Sequence, residues 1–229
     1  MISFNKPLLG IMGGMGTQAT ACFYEKLHGL QIVATEQEYL DILLYSMPTT
    51  PDRTAFITGR SPESPLGSLI HAAKTLETAG VDCIALPCIT SHFFFNELAD
   101  AVKIPVINML DETAGAAAKL GIKNACLLAT DGTIKAGAFE DAFKKQGIDV
   151  LLPPDPEQSA LMKYIYDIKQ GIDVSPDGLD IIIDKALKTG ADAAILGCTE
   201  LCIMPGDKKT NVINTLDVLA EAALRYFGS

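Results

Sequence analysis

Two cysteines stand behind the same short run of residues. Positions 80–92 read GVDCIALPCITSH and positions 190–201 read GADAAILGCTEL. Each run has Gly, one small apolar residue, Asp, a mostly apolar stretch and then a cysteine, Cys88 in the first and Cys198 in the second. A free thiol has a pKa near 8.5, so only a few per cent is thiolate at neutral pH. A helix N-terminus stabilises the anion, and each cysteine directly precedes an expected helix. One thiolate and one thiol on opposite sides of a flat carbanion form a base and an acid. The first removes a proton from one face, the second delivers one to the other face, and a stereocentre inverts. The reverse reaction swaps the roles, which gives a reason for a duplicated segment.

The remaining cysteines, Cys22, Cys83, Cys126 and Cys202, lie in apolar segments and read as packing residues. Without an export signal, disulfides are not expected. Cys88 and His92 have no further ligand cluster at zinc-like spacing, so no metal site is expected. His92 shares a helix face with Cys88. It fits a group that poises the thiol and a structural hydrogen bond equally well.

The elements that must position these thiols alternate. Candidate strands are 7–12, 39–47, 82–87, 105–109, 124–130, 149–153, 192–197 and 211–215, several of them apolar on both faces as in a buried parallel sheet. Helical patterns fall at 17–29, 64–79, 91–102, 111–120, 135–146, 157–170, 176–189 and 217–227. This predicts an α/β fold with right-handed crossovers. The stretch 51–65, PDRTAFITGRSPESP, reads as a long loop, and PPDPE at 153–157 as a second break.

Two further pairs of segments repeat in the same order. PVINMLDETAGAA (105–117) matches NVINTLDVLAEAA (211–223), and LLGIMGGMGTQATACF (8–23) matches ACLLATDGTIKAGAF (125–139) more weakly. A duplicated α/β unit follows. The expected architecture is two pseudo-symmetric lobes, each a mostly parallel sheet of about four strands flanked by helices, with the active site in the cleft between them. The first lobe is expected to hold 1–104 and 211–229, and the second 105–210. In open α/β sheets ligands sit beyond the carboxyl ends of the strands, where both cysteines stand.

The chain has 229 residues, 48% of them apolar and 20% charged, with a net charge of −10. That is enough for a real core. An acidic surface repels nucleic acid and anionic membrane, so neither is an expected partner. No apolar stretch approaches the roughly 18 residues of a membrane span. The start, MISFNKPLLGIMGG, has no signal-peptide pattern, and a cytoplasmic location is expected.

Five segments taken together resemble the aspartate/glutamate racemase superfamily, in its aspartate racemase branch. They are Gly13-Gly14-Met15-Gly16, Pro51-Asp52-Arg53-Thr54, Pro87-Cys88-Ile89-Thr90-Ser91-His92, Leu128-Ala129-Thr130-Asp131-Gly132-Thr133 and Gly197-Cys198-Thr199-Glu200. The resemblance covers about residues 7–220. It implies a cofactor-independent racemase with Cys88 and Cys198 as the two catalytic groups. It implies that Thr90, Thr199 and the backbone N–H groups around Gly14, Met15 and Gly16 bind substrate carboxylate and carbanion oxygens, donors that matter because the α-proton is so weakly acidic. It places Glu200 near the substrate ammonium, Arg53 on a distal carboxylate and Lys169 as a second cation. A planar fork and a point charge together suit a dicarboxylic acid. A homodimer is expected on the same ground.

The chain departs from that pattern at Ile89, where the family has Asn, at Thr49, at a substrate-contact position where Gln is usual, and at Thr17 in place of Pro. The substrate therefore stays open between aspartate, glutamate and another acid. Maleate-isomerase-like or decarboxylase-like chemistry and a silent acid-binding homologue are the alternatives within the resemblance. Outside it stands a Cys-His hydrolase with His92 as base. Taken singly, the glycines also fit a tight turn, Arg53 a solvated charge, Lys169 a charged helix surface and Glu200 a helix start. The glycine segment lacks the spacing of a nucleotide-binding loop.

Overall fold

A computed structural model describes residues 6–204 and 211–228, and for Pro176 the backbone alone. Expectations that fall on 1–5, 205–210 and 229 lie outside these residues. The chain runs β1 (Leu8–Gly13), α1 (Thr17–Leu30), β2 (Asp41–Ser46), α2 (Arg53–Ile57), α3 (Leu66–Thr78), β3 (Cys83–Ala85), α4 (Phe95–Asp100) and α5 (Met109–Lys119). It continues through β4 (Asn124–Ala129), α6 (Asp131–Ala136), α7 (Ala138–Lys145), β5 (Asp149–Leu151), α8 (Asp155–Lys169), α9 (Pro176–Leu187), β6 (Ala193–Gly197), β7 (Val212–Asn214) and α10 (Thr215–Tyr226).

Two parallel sheets result, one in the order β2-β1-β3 and one in the order β5-β4-β6-β7. Helices cover both, as parallel sheets require. A single parallel bridge from Ile84 to Val106 extends the first sheet where a strand over 105–109 was expected. With that bridge, the two sheets have corresponding orders. The strands sit where the sequence repeats place them: β1 against β4, β3 against β6, and Val106 against β7.

The repeated Asp has a structural reason. Asp82 accepts the Leu8 N–H at 2.8 Å, and Asp192 accepts the Lys123 and Asn124 N–H groups, each at 2.8 Å. Each carboxylate ties the start of one strand to the start of its neighbour. Backbone N–H donors hold Asp192 below its usual carboxylate range. The repeated Asn is a matched cap: Asn108 accepts from Leu110 and Asp111 N–H, and Asn214 from Leu216 and Asp217 N–H, satisfying the first turns of α5 and α10.

Sheet membership differs from the expected lobe boundaries at both exchanges. Val106, expected in the second lobe, bridges the first sheet, and β7, expected in the first, pairs with β6 of the second. The Val-Ile-Asn run thus completes the sheet that precedes it, and the chain leaves that sheet through the helix the Asn caps. α10 packs against both α1 and α5. One buried core joins Leu9, Ile11 and Phe23 with Leu127, Ile195 and Leu219, so the two sheets share a single apolar interior. A second core, with Met12, Leu69, Leu76 and Leu86, fills the other face of the first sheet.

Two expected segments differ in detail. The loop 51–65 contains α2, whose N-cap Asp52 accepts the Ala55 N–H at 2.8 Å. The expected helix 135–146 is two helices, α6 and α7, broken at Gly137, where φ is +67°.

Candidate active site

The carboxyl ends of β1, β3, β4 and β6 converge. A small cavity there is lined by Met15, Asp52, Arg53, Thr54, Cys88, Ile89, Thr90, Lys169, Cys198, Thr199 and Glu200. It adjoins a larger outer cavity, and Met15, Arg53, Lys169 and Glu200 line both. Gly14 and Gly16 line the outer cavity. Of the residues expected from the sequence, all but one therefore meet at a single place. Thr49 is the exception: it is exposed and lines neither cavity, because the chain turns there and Thr50 is the residue that points inward.

The first lobe supplies Cys88 just after β3. The thiol is buried and accepts a hydrogen bond from Ser91 Oγ at 3.1 Å. The expected helix after it begins as a 3-10 turn, Ile89–Phe94, before α4. Within that turn His92 is buried, and both ring nitrogens face backbone. Nε2 accepts the Met109 N–H at 3.1 Å, so Nδ1 carries the proton and donates to the Cys88 carbonyl at 3.0 Å. Burial pushes the imidazole pKa below its ordinary value, against the pull of the backbone carbonyls around it. His92 is thus a neutral strut between this turn and the start of α5, and it has no free nitrogen with which to poise the thiol.

The second lobe supplies Cys198 just after β6, where a three-residue 3-10 turn, Leu201–Ile203, stands in place of the expected helix. Its thiol donates to Glu200 Oε2 at 2.9 Å. Burial, and then the Glu200 carboxylate, push this thiol well above its usual range, with Lys169 pulling the other way. Lys169 ends α8 and lines both cavities. Desolvation opposes its charge, but Glu200, Cys198 and Cys88 outweigh this and raise its pKa. The ammonium therefore stays charged among both sulfurs and the carboxylate.

Arg53 opens α2. Its Nη1 donates to the Thr50 and Pro51 carbonyls at 3.2 and 3.1 Å. Its Nε is buried without a partner, as is Glu200 Oε1. A buried donor and a buried acceptor left open beside one cavity are costly unless a ligand completes them. Gly14 turns the chain out of β1 with φ +93°, and a Cβ there would lie 2.4 Å from the Met47 nitrogen. Its N–H is committed to Thr20 Oγ1 at 3.0 Å, so it is not available to a substrate as the resemblance implied.

Sequence reasoning assigned no role to a chain of hydroxyls across the two lobes. Thr90 Oγ1 lies 2.9 Å from Thr133 and 3.4 Å from Thr130, and Thr54 donates to Thr130 at 3.3 Å. Gly132 permits this approach, since a Cβ there would meet Thr54 Cα at 2.8 Å. The signal was present in Leu-Ala-Thr-Asp-Gly-Thr and Pro-Asp-Arg-Thr, but only the fold shows that these segments touch. Among the described residues no cluster of three metal-ligating side chains exists, and no helix is long and apolar enough to cross a membrane.

This is a two-lobed α/β enzyme site with paired thiols, an arginine, a lysine and a carboxylate around one cavity. The family described as Asp/Glu/Hydantoin racemase matches residues 12–223, nearly the whole chain, and the protein belongs to that family of isomerases. The aspartate racemase of Picrophilus torridus has a similar structure, with a TM-score of 0.86 and 31% identity over 97% of this chain and 94% of that one. An aspartate racemase homologue from Pyrococcus horikoshii OT3 matches with a TM-score of 0.76 and 25% identity over 96% of this chain and 99% of that one. The broad specificity amino-acid racemase RacX of Bacillus subtilis (strain 168) is 29% identical over 85% of this chain and 86% of its own length.

Proposed function

We propose that this protein racemises an acidic amino acid, aspartate first, by a two-base mechanism that needs no cofactor. The observation that carries this reading is the meeting of Cys88 and Cys198 at one cavity lined also by Arg53 and Glu200, each of which keeps a buried polar atom without a partner. In this reading Arg53 binds the distal carboxylate, Glu200 binds the ammonium, and Lys169 stabilises charge that develops at the α-carboxylate. Thr90 and Thr199 donate to carboxylate oxygens, and the hydroxyl chain behind Thr90 holds it in place. One thiolate takes the α-proton, the C–H electron pair passes into the carboxylate, and the other thiol protonates the opposite face. A homodimer in the cytoplasm completes the proposal, and sedimentation of the purified chain tests the dimer.

The direct experiment follows optical rotation of L-aspartate without pyridoxal phosphate, together with α-deuterium uptake from D₂O. Loss of either Cys88 or Cys198 to Ser should cost about 10²–10⁴-fold in turnover, the usual worth of a positioned acid or base. Neither rotation loss nor deuterium uptake with any acidic amino acid would end the substrate assignment. A hydrolase using one thiol would survive Cys198→Ser.

A second reading keeps the chemistry and widens the substrate. Ile89 is an apolar wall of the cavity, and the Bacillus relative carries a broad-specificity name. Comparing rates for aspartate, glutamate and neutral amino acids separates the two readings.

A further inference from the structure

The two thiols are treated unequally by their neighbours. Ser91 is fully buried, and its Oγ has two acceptors within reach: Cys88 Sγ at 3.1 Å and Met15 Sδ at 3.7 Å. A thioether is a weak acceptor, whereas a thiolate is charged, so the hydroxyl hydrogen goes to Cys88 when that sulfur is ionised. The hydroxyl can turn to Met15 when Cys88 is protonated, so neither state leaves it orphaned. Cys198 faces the opposite chemistry. Its neighbour is a carboxylate, which can only accept, and a thiol there satisfies it while a thiolate would repel it.

Resting on the two-base reading above, we propose that Ser91 is a positioning residue that holds Cys88 as the resting thiolate, while Glu200 keeps Cys198 as the resting thiol. The other charged and titratable groups that face Cys88 are Lys169 from the end of α8, Arg53 and Asp52 at the start of α2, and Cys198 and Glu200 after β6. His92 touches it through the main-chain carbonyl and is neutral. The cations favour the same assignment, since Lys169 couples to both sulfurs but only Cys198 has a carboxylate in hydrogen-bond contact. The enantiomer whose α-hydrogen faces Cys88 then meets an enzyme already in the correct protonation state. In that turnover Cys88 gains the substrate proton and Cys198 loses its own. The pair returns to rest when Cys88 releases its proton to solvent and Cys198 takes one up. The other enantiomer needs the reversed pair, which is the minor form at rest.

Alkylation of the intact chain by iodoacetamide over a pH series, read at each cysteine by peptide mass spectrometry, tests this without turnover. Both cysteines line the same cavity and are equally buried. In the unmodified protein Cys88 should react at lower pH than Cys198. Ser91→Ala should slow Cys88 alkylation at neutral pH about tenfold, the worth of one hydrogen bond to a charged group, and leave Cys198 unchanged. Cys198 reacting first in the wild-type chain overturns the proposal whether or not the variant folds. An unmoved Cys88 profile in a folded Ser91→Ala protein overturns it as well. Racemisation measured on the same samples reports on the parent reading separately, since either result can fail while the other holds.

Discussion

Replacing Arg53 with Lys tests whether the guanidinium is the selector for a second carboxylate. In the structure two carbonyls, Thr50 and Pro51, hold Nη1 and aim the planar group, and the buried Nε has no partner in a residue that lines the cavity. Lys keeps the charge but offers a point ammonium without the fork. The change therefore removes at least one charge-assisted hydrogen bond, worth about 1.5–3 kcal/mol. At about 1.4 kcal/mol per tenfold, kcat/KM for aspartate should fall by roughly 10- to 150-fold. The measurement is chiral chromatography of initial rates, run for aspartate and for alanine on wild type and Arg53→Lys. Alanine has no distal carboxylate, so its already low rate should change by less than about threefold, a fraction of one hydrogen bond. Equal losses on both substrates would show that Arg53 supports the architecture or the α-carboxylate, and the assignment to a distal carboxylate would be wrong.

Other expectations follow from the same geometry. His92→Phe leaves the Met109 N–H without its acceptor, at about 1–3 kcal/mol, while the Cys88 carbonyl keeps the Ser91 N–H, so thermal unfolding should drop by roughly 2–12 °C. The imidazole has a folded pKa below its ordinary 6.5, so the unfolded chain binds the proton more readily. Its contribution is complete above about 6.5 and is lost as pH falls below that value, a slope in chemical denaturation that His92→Phe should flatten. Gly132→Ala forces a methyl toward Thr54 Cα, 2.8 Å away at the second residue of α2. About 1–3 kcal/mol of stability should go, and aspartate turnover should fall with it because Arg53 begins the same helix. Unchanged kinetics in Gly132→Ala would show that α2 can shift without moving the guanidinium. Asp192→Asn weakens the tie between the starts of β4 and β6, and its melting curve should lose part of the wild-type decline in acid, because a depressed carboxylate stabilises only while ionised.

The periodicity and the repeats carried a large share of this protein's organisation. Apolar runs bounded by Gly, Asp and Asn could be read as strands because a buried parallel strand is apolar on both faces, and the repeated Asp and Asn mark strand starts and helix caps that form locally. The paired cysteines were legible because the duplication repeats them, whereas Arg53, Lys169, Thr90, Thr199 and Glu200 were named only through the family resemblance and, taken singly, read as ordinary polar residues until the fold set them around the same cavities. Tertiary structure decided the rest. The Val-Ile-Asn segments could join either sheet on pattern alone, and only the hydrogen-bond ladder assigns Val106 and β7. Ser91, Thr54, Thr130 and Thr133 are ordinary small polar residues whose roles depend on which neighbour lies about 3 Å away: the 3-10 turn sets Ser91 against Cys88, and the packing of two lobes sets Thr54 against Thr130 and Thr90 against Thr133. His92 could not be classified until both ring nitrogens had partners, and Thr49 could not be excluded until the turn put its side chain in solvent. Residue type is local information, whereas contact across long loops is a property of the folded chain.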